Sequence, residues 1–207
     1  MKEGQLEVNL VVVPEIFEIF LKWFYGFSIA ITKDNVSDLW ILADYYQTPL
    51  LQKRLEVYID KHVTETSDAV DILTTSDAKG VYRLVNKVCD QLLTNVNLPV
   101  IPLSICALQI VSHSIAAKPI LAQWCLQCFF ESMQVINVET DEEHAALEKI
   151  LSNLDFLHID PSLLAQLESQ TWNLSKPIIE SLYHAYKHHA LKKVASKQNR
   201  KPFKTRM

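Results

Sequence analysis

Three stretches of this chain place an apolar residue at every fourth position: Leu51, Leu55 and Ile59; Leu84, Val88 and Leu92; Ile120, Trp124 and Cys128. A spacing of four drifts slowly round an α-helix, so each trio forms a single stripe along one face. Ahead of each stripe stands a second helical pattern: Leu39 with Ala43-Asp44, Ile72 with Ser76-Asp77, and Leu108 with Ser112-His113, at offsets of 33 and then 36 residues. The unit is thus a helix with a small residue near its end, a short turn, and a striped helix. Hairpins of this kind bury their faces by stacking on their neighbours. The stripes are expected inside the array, which leaves partner contacts to exposed aromatics on the flanks: Tyr45, Tyr46 and Tyr58.

The rest of the chain agrees with a mainly α fold. Only 3 glycines occur in 207 residues, too few for a turn-dense all-β fold, and no Gly-rich phosphate-binding motif is present. With 49% hydrophobic and 21% charged residues the chain is not a disordered one. Pro14, then Phe17, Phe20, Leu21 and Phe24, predict a helix over 15–25 that Gly26 stops. Further helices are expected over 35–46 (capped by Asp34), from Pro49, around 70–73 (capped by Ser67), and over 81–94, 103–113 and 118–134. Thr140 and Glu143 form a capping box for 141–153, Pro161 opens another helix, and the last runs from Ser175-Lys176-Pro177 to about 195.

Strands are scarce. Leu6, Val8, Leu10 and Val12 alternate with polar Glu7 and Asn9, the period of a strand over 6–13. The one other candidate is 28–32. Two short strands do not make a stable sheet, so sheet partners are expected to come from outside this chain. Phe17, Phe20, Trp23 and Phe24 would then form an exposed apolar patch, prone to self-association.

Charge is unevenly placed. Residues 188–207 hold Lys192, Lys193, Lys197, Arg200, Lys201, Lys204 and Arg206 and no acid, so this tail is +7 while residues 1–187 carry −11 of the net −4. An acidic body argues against a nucleic-acid-binding domain. The tail, expected to be disordered over 196–207, leaves phosphate contact or a nuclear address as minor alternatives to a solvated end. No signal peptide and no apolar run of membrane-spanning length is expected. The chain reads as cytoplasmic and/or nuclear, with reduced thiols and no membrane.

Several constellations resemble chemistry. Cys125-Leu126-Gln127-Cys128 has redox spacing but falls mid-helix on an apolar stripe, where buried core cysteine is the expectation. Cys106 and His113 do not complete a zinc finger with it. His184 and His188 lie one helical turn apart, with His189 adjacent, and lack the glutamate of the metalloprotease pattern. The run Glu139, Asp141, Glu142, Glu143 suits a helix N-terminus. No nucleophile elbow occurs, and no enzyme activity, cofactor or metal is expected.

Phe17-Glu-Ile-Phe-Leu-Lys-Trp-Phe-Tyr25-Gly26, then Ile29, Ile31-Thr32, Asn35-Val36, Leu39, Leu42-Ala-Asp-Tyr-Tyr-Gln47 and Leu50-Leu51, resembles the C-terminal half of a BTB/POZ domain. The pattern departs from the family where Tyr25 meets Gly26 directly, without the family's Thr. Asp68-Ala-Val-Asp-Ile-Leu73, Asp77 and Leu84 resemble the opening helix pair of a BACK domain, as in kelch-like adaptors. The resemblance implies a BTB half over 1–65, a BACK-like helical domain over 66–195 and a basic tail over 196–207. It further implies a protein–protein interaction module, serving as substrate adaptor or competing fragment for a cullin-RING (cullin-3) ubiquitin ligase. The partner would be a cullin or another BTB protein, and a helical scaffold without a ligase role is the alternative. In cullin-binding members a hydrophobic-x-Glu motif precedes the strand, a place held here by Met1 and Glu3.

Overall fold

The computed structural model describes residues 12–63, 65–92, 98–136, 138–169 and 174–198. Its ordered elements are helical: α1 (Pro14–Phe24), α2 (Val36–Tyr45), α3 (Pro49–His62), α4 (Thr66–Ala78), α5 (Tyr82–Leu92), α6 (Ile105–Ile115), α7 (Ala122–Met133), α8 (Asp141–Ser152), α9 (Pro161–Ser169) and α10 (Lys176–Gln198), with 3-10 turns at Pro119–Leu121 and Phe156–His158. The expected helices all form, with ends shifted by a few residues. Among the described residues there is no strand. Segment 28–32 is irregular, which corrects the expectation of a second strand, because a strand exists only by pairing its backbone with a neighbour. Most of the other expected strand, 6–13, lies outside the described residues.

The chain divides into two compact units, Met1–Leu92 and Leu93–Met207. In the first, α2 packs on α3, α4 on α5, and the second hairpin stacks on the first through α2–α4 and α3–α5. The division by compactness therefore groups α4 and α5 with the BTB-like stretch, whereas the division by resemblance falls at 65/66. Leu39, Leu51, Leu55, Ile59, Ile72, Leu84 and Val88 are fully buried. At the α2–α4 crossing the small residues Ser37 and Ser76, both fully buried, hydrogen-bond to each other at 3.1 Å. Ion pairs join the two hairpins at the rim: Lys79 with Asp38 at 2.6 Å, Lys87 with Asp60 at 2.8 Å, and Lys33 with Asp68 at 2.8 Å and Asp71 at 3.1 Å.

The repeat extends to the turns. α4 ends in a paired closure, with the Val81 N–H donating to Ser76 O and the Gly80 N–H to Asp77 O, and Gly80 adopts φ 68°. One repeat earlier, α2 closes in the same way, Thr48 N–H to Ala43 O and Gln47 N–H to Asp44 O. Gln47 takes the glycine's place there with φ 50°, a left-handed conformation that costs a residue with a Cβ roughly 1–2 kcal/mol.

In the second unit α6 packs on α7 and α8, α7 on α9 and the 156–158 turn, and α10 on α8, α9 and that same turn. Here the third repeat departs from the first two. Ala116, aligned with Gly80, has right-handed φ −53°, and the chain enters α7 through the 119–121 turn instead. Ile120 is consequently 66% exposed rather than on the stripe, while Trp124 and Cys128 are buried as expected. The Thr140–Glu143 capping box forms in full. Two other caps differ: α2 has Asn35 rather than Asp34 at its N-cap, and α4 starts at Thr66 behind Glu65 rather than at Ser67. α10 stays helical through Gln198, beyond the expected end.

Candidate protein-interaction site

α1 is the most aromatic element of the chain, and its rings do not stop at its own surface. Phe20 is buried because Tyr46, at the C-cap of α2, stacks on it at 5.1 Å and 23° between planes. Phe17 lies 6.2 Å from Phe20 and 6.3 Å from Tyr46. Trp23 and Phe24 flank Phe20 at 6.2 and 6.4 Å. Tyr25 meets Phe24 edge-on at 6.0 Å, and Tyr45 meets Tyr46 edge-on at 5.0 Å. Seven rings thus form one connected series, in the offset and edge geometries that aromatic pairs favour.

The series is buried in the middle and open at both ends. Phe24 and Tyr25 are exposed at one end and Tyr45, at 67%, at the other, with Tyr46 part-covered between. The expected patch of Phe17, Phe20, Trp23 and Phe24 is corrected in one respect: Phe20 is core, and Phe17 and Trp23 are half-buried, since α1 packs on α2. Sequence reasoning missed Tyr25 and Phe27, which is also 65% exposed. The signal was present in the glycine between them. Gly26, φ 84°, lets the Phe27 N–H close back on Lys22 O and its own N–H on Trp23 O, so the chain reverses directly after α1 and holds both rings outside.

Tyr45 and Tyr46 are brought together; Tyr58 is placed elsewhere. On α3 it stacks on His62 at 5.4 Å and lines a groove of about 300 Å³ with Ile29, Ile31, Arg54 and Val57. Burial, and then the acids Asp68 and Asp34, push its hydroxyl above the usual tyrosine range. Met1 and Glu3 lie outside the described residues.

The residues with chemical spacing do not assemble into a reactive centre. Cys125 and Cys128 are fully buried in the middle of α7, and burial pushes the Cys128 thiol up to about 12. Such a thiol is not a nucleophile near neutrality. His184 and His188 are exposed and His189 is half-buried on α10. Among the described residues no group of three or more His, Cys, Asp or Glu is placed to hold a metal ion, and no helix is long and apolar enough to cross a membrane. Glu139, Asp141, Glu142 and Glu143 stand at the start of α8, where the helix dipole favours acids.

Graded, partly exposed rings on a packed helix pair are the kind of surface on which aromatic anchors meet a protein partner. That is the class of protein to which the geometry points, an interaction module. Residues 2–63 match the family model of the BTB/POZ domain, a protein–protein interaction module. The matched stretch takes in α1, α2 and α3, and with them the whole ring series. No curated protein and no solved structure matches the chain.

Proposed function

We propose that this chain is a BTB-type adaptor whose docking surface is the aromatic series of α1 and α2, with Phe24, Tyr25 and Tyr45 as its anchors. The observation that carries this reading is the exposure of large rings at both ends of a series whose centre, Phe20, is locked in the core. Rigid, part-buried aromatics lose little side-chain freedom on binding, so more of the contact energy is retained as affinity. The assembly would be a cullin-RING ubiquitin ligase, either as substrate adaptor or as a fragment competing for the cullin. Residues 66–195 would then act as the BACK-like arm that follows a BTB domain in kelch-like adaptors, and the chain would have no catalytic role of its own.

The test is calorimetric titration of the full chain with the N-terminal domain of a cullin, repeated with Tyr45→Ala and Phe24→Ala. Saturable binding that both substitutions weaken supports the adaptor reading. Absence of binding, together with self-association that the same substitutions abolish, would replace it with the scaffold reading. A chain that stays monomeric at high concentration and binds no cullin would remove the docking surface altogether.

A further inference from the structure

α10 carries apolar residues on two faces. Its inner face, Ile178, Leu182 and Ala185, is buried in the second unit. A surface helix normally turns polar residues outward from its packed face. Here Ile179, Tyr183, Lys187 and Leu191 follow one another at spacing four, the spacing that buries Leu51, Leu55 and Ile59 in the first unit. All four are exposed, Tyr183 to 63% and Leu191 to 62%. At about 100° per residue they fall at about 0, 40, 80 and 120° around the axis, against about 240–300° for the buried three. Glu180, also exposed, lies on the same open side at about 100°.

We infer that this stripe pairs with the same stripe of a second copy of the chain, the two α10 helices running antiparallel about a two-fold axis near Ala185. The order of residues along the stripe argues for a second copy, because the stripe is complementary to its own reverse. A two-fold pairing sets residue i against residue j and j against i. Centred on position 185, it brings Ile179 to the partner's Leu191 and Tyr183 to the partner's Lys187, each contact made twice. The first contact is apolar, and the second sets an ammonium against an aromatic face. Glu180 then stands one helical turn from the partner's Lys187, within reach of an ion pair. Its contact with Lys176 in its own helix is long, 3.8 Å, between two largely exposed side chains, and a pair of that kind holds the carboxylate weakly. A parallel pairing would instead set Lys187 against the partner's Lys187, and like charges oppose association. Side chains at spacing four also form the ridges by which two helices most commonly interlock. A stripe of this length buries less than the about 1,200 Å² of a standard interface, so the dimer is weak and concentration-dependent.

The experiment is sedimentation equilibrium of the full chain carrying Phe24→Ala and Tyr45→Ala, which removes association through the α1–α2 rings from the readout. A monomer–dimer equilibrium is expected in this background. Glu180→Lys and Lys187→Glu, each added alone, should weaken it at least about tenfold, since either puts like charges where two attractive contacts stood. The two changes together restore opposite charges across the axis, and the doubly reversed chain is expected to dimerise more tightly than either single variant. A general loss of helix stability would not be rescued in this way. Circular dichroism checks the fold of each variant; should charge reversal disturb it, Glu180→Gln and Lys187→Gln are expected to weaken dimerisation in the same direction. The inference is overturned by a chain that stays monomeric at high concentration, by dimerisation that the folded single variants leave unchanged, or by a doubly reversed chain no tighter than the single ones.

Discussion

Truncating Leu55 should unfold the first unit at a far lower temperature, whereas truncating Tyr45 should not. Leu55 lies in the middle of α3 with none of its surface exposed. Replacing it by Ala removes three carbons from an interior held between packed helices, which loses their transfer energy and leaves a cavity, together about 3 kcal/mol. For a unit of this size each kcal/mol moves the melting temperature by about 4–8 °C, so a fall of roughly 12–24 °C is expected. Tyr45 is two-thirds exposed, and its truncation gives up one edge-on contact, 5.0 Å from Tyr46. That is about 0.5 kcal/mol once its exposure is counted, a shift of a few degrees at most. Tyr46 is intermediate. It is 38% exposed, but it also stacks on Phe20 and touches Phe17, so its truncation should cost about 1–2 kcal/mol. The sequence alone suggests Tyr46→Ala as a change that affects binding only; the stacking makes Tyr45→Ala the cleaner variant. Differential scanning calorimetry of the three variants gives the order directly. Equal shifts for Leu55→Ala and Tyr45→Ala would refute the assignment of core and surface.

Three further outcomes are expected. Gln47→Gly should raise the melting temperature of the first unit by a few degrees, about 0.5 kcal/mol, because relief of the left-handed strain exceeds the added chain entropy; a fall in calorimetry would show that the strain is not there. Exposed Cys106 should be alkylated quickly in the native protein, while Cys89, Cys125 and Cys128, all buried, should react only on unfolding; peptide mass spectrometry after a brief iodoacetamide pulse distinguishes them, and early labelling of Cys128 would contradict its raised thiol. The Glu143 carboxyl is held below its ordinary value by the backbone N–H groups of Glu139 and Thr140 and then by the Thr140 hydroxyl, so it adds stability above its unfolded value near 4.5 that is lost as pH falls through the lower folded value. Wild type should therefore lose more stability than Glu143→Gln on acidification across that window, measured by thermal melts at a series of pH values, and parallel curves would exclude the linkage.

Much of this architecture was legible before any coordinates, for a physical reason. Helix starts and stops depend on neighbours within a few residues, so Pro14, Pro49, Gly26, Gly80 and the Thr140–Glu143 box act locally wherever the chain lies. The stripe Leu51, Leu55, Ile59 was equally readable, because apolar periodicity records which face must leave water. Exposure at the edges of that pattern was not. Ile120 keeps the spacing of its stripe but is exposed because the third turn does not repeat the left-handed closure of Gln47 and Gly80, and a backbone angle at Ala116 decided it. Phe20 and Phe24 are alike in type and helical register, yet only the tertiary packing distinguishes them, since Tyr46 from another helix stacks on the first and leaves the second largely open. Sequence determined the helices and their apolar faces, which are local properties of the chain; which rings remained outside was decided by what each helix packed against, and only the folded structure holds that information.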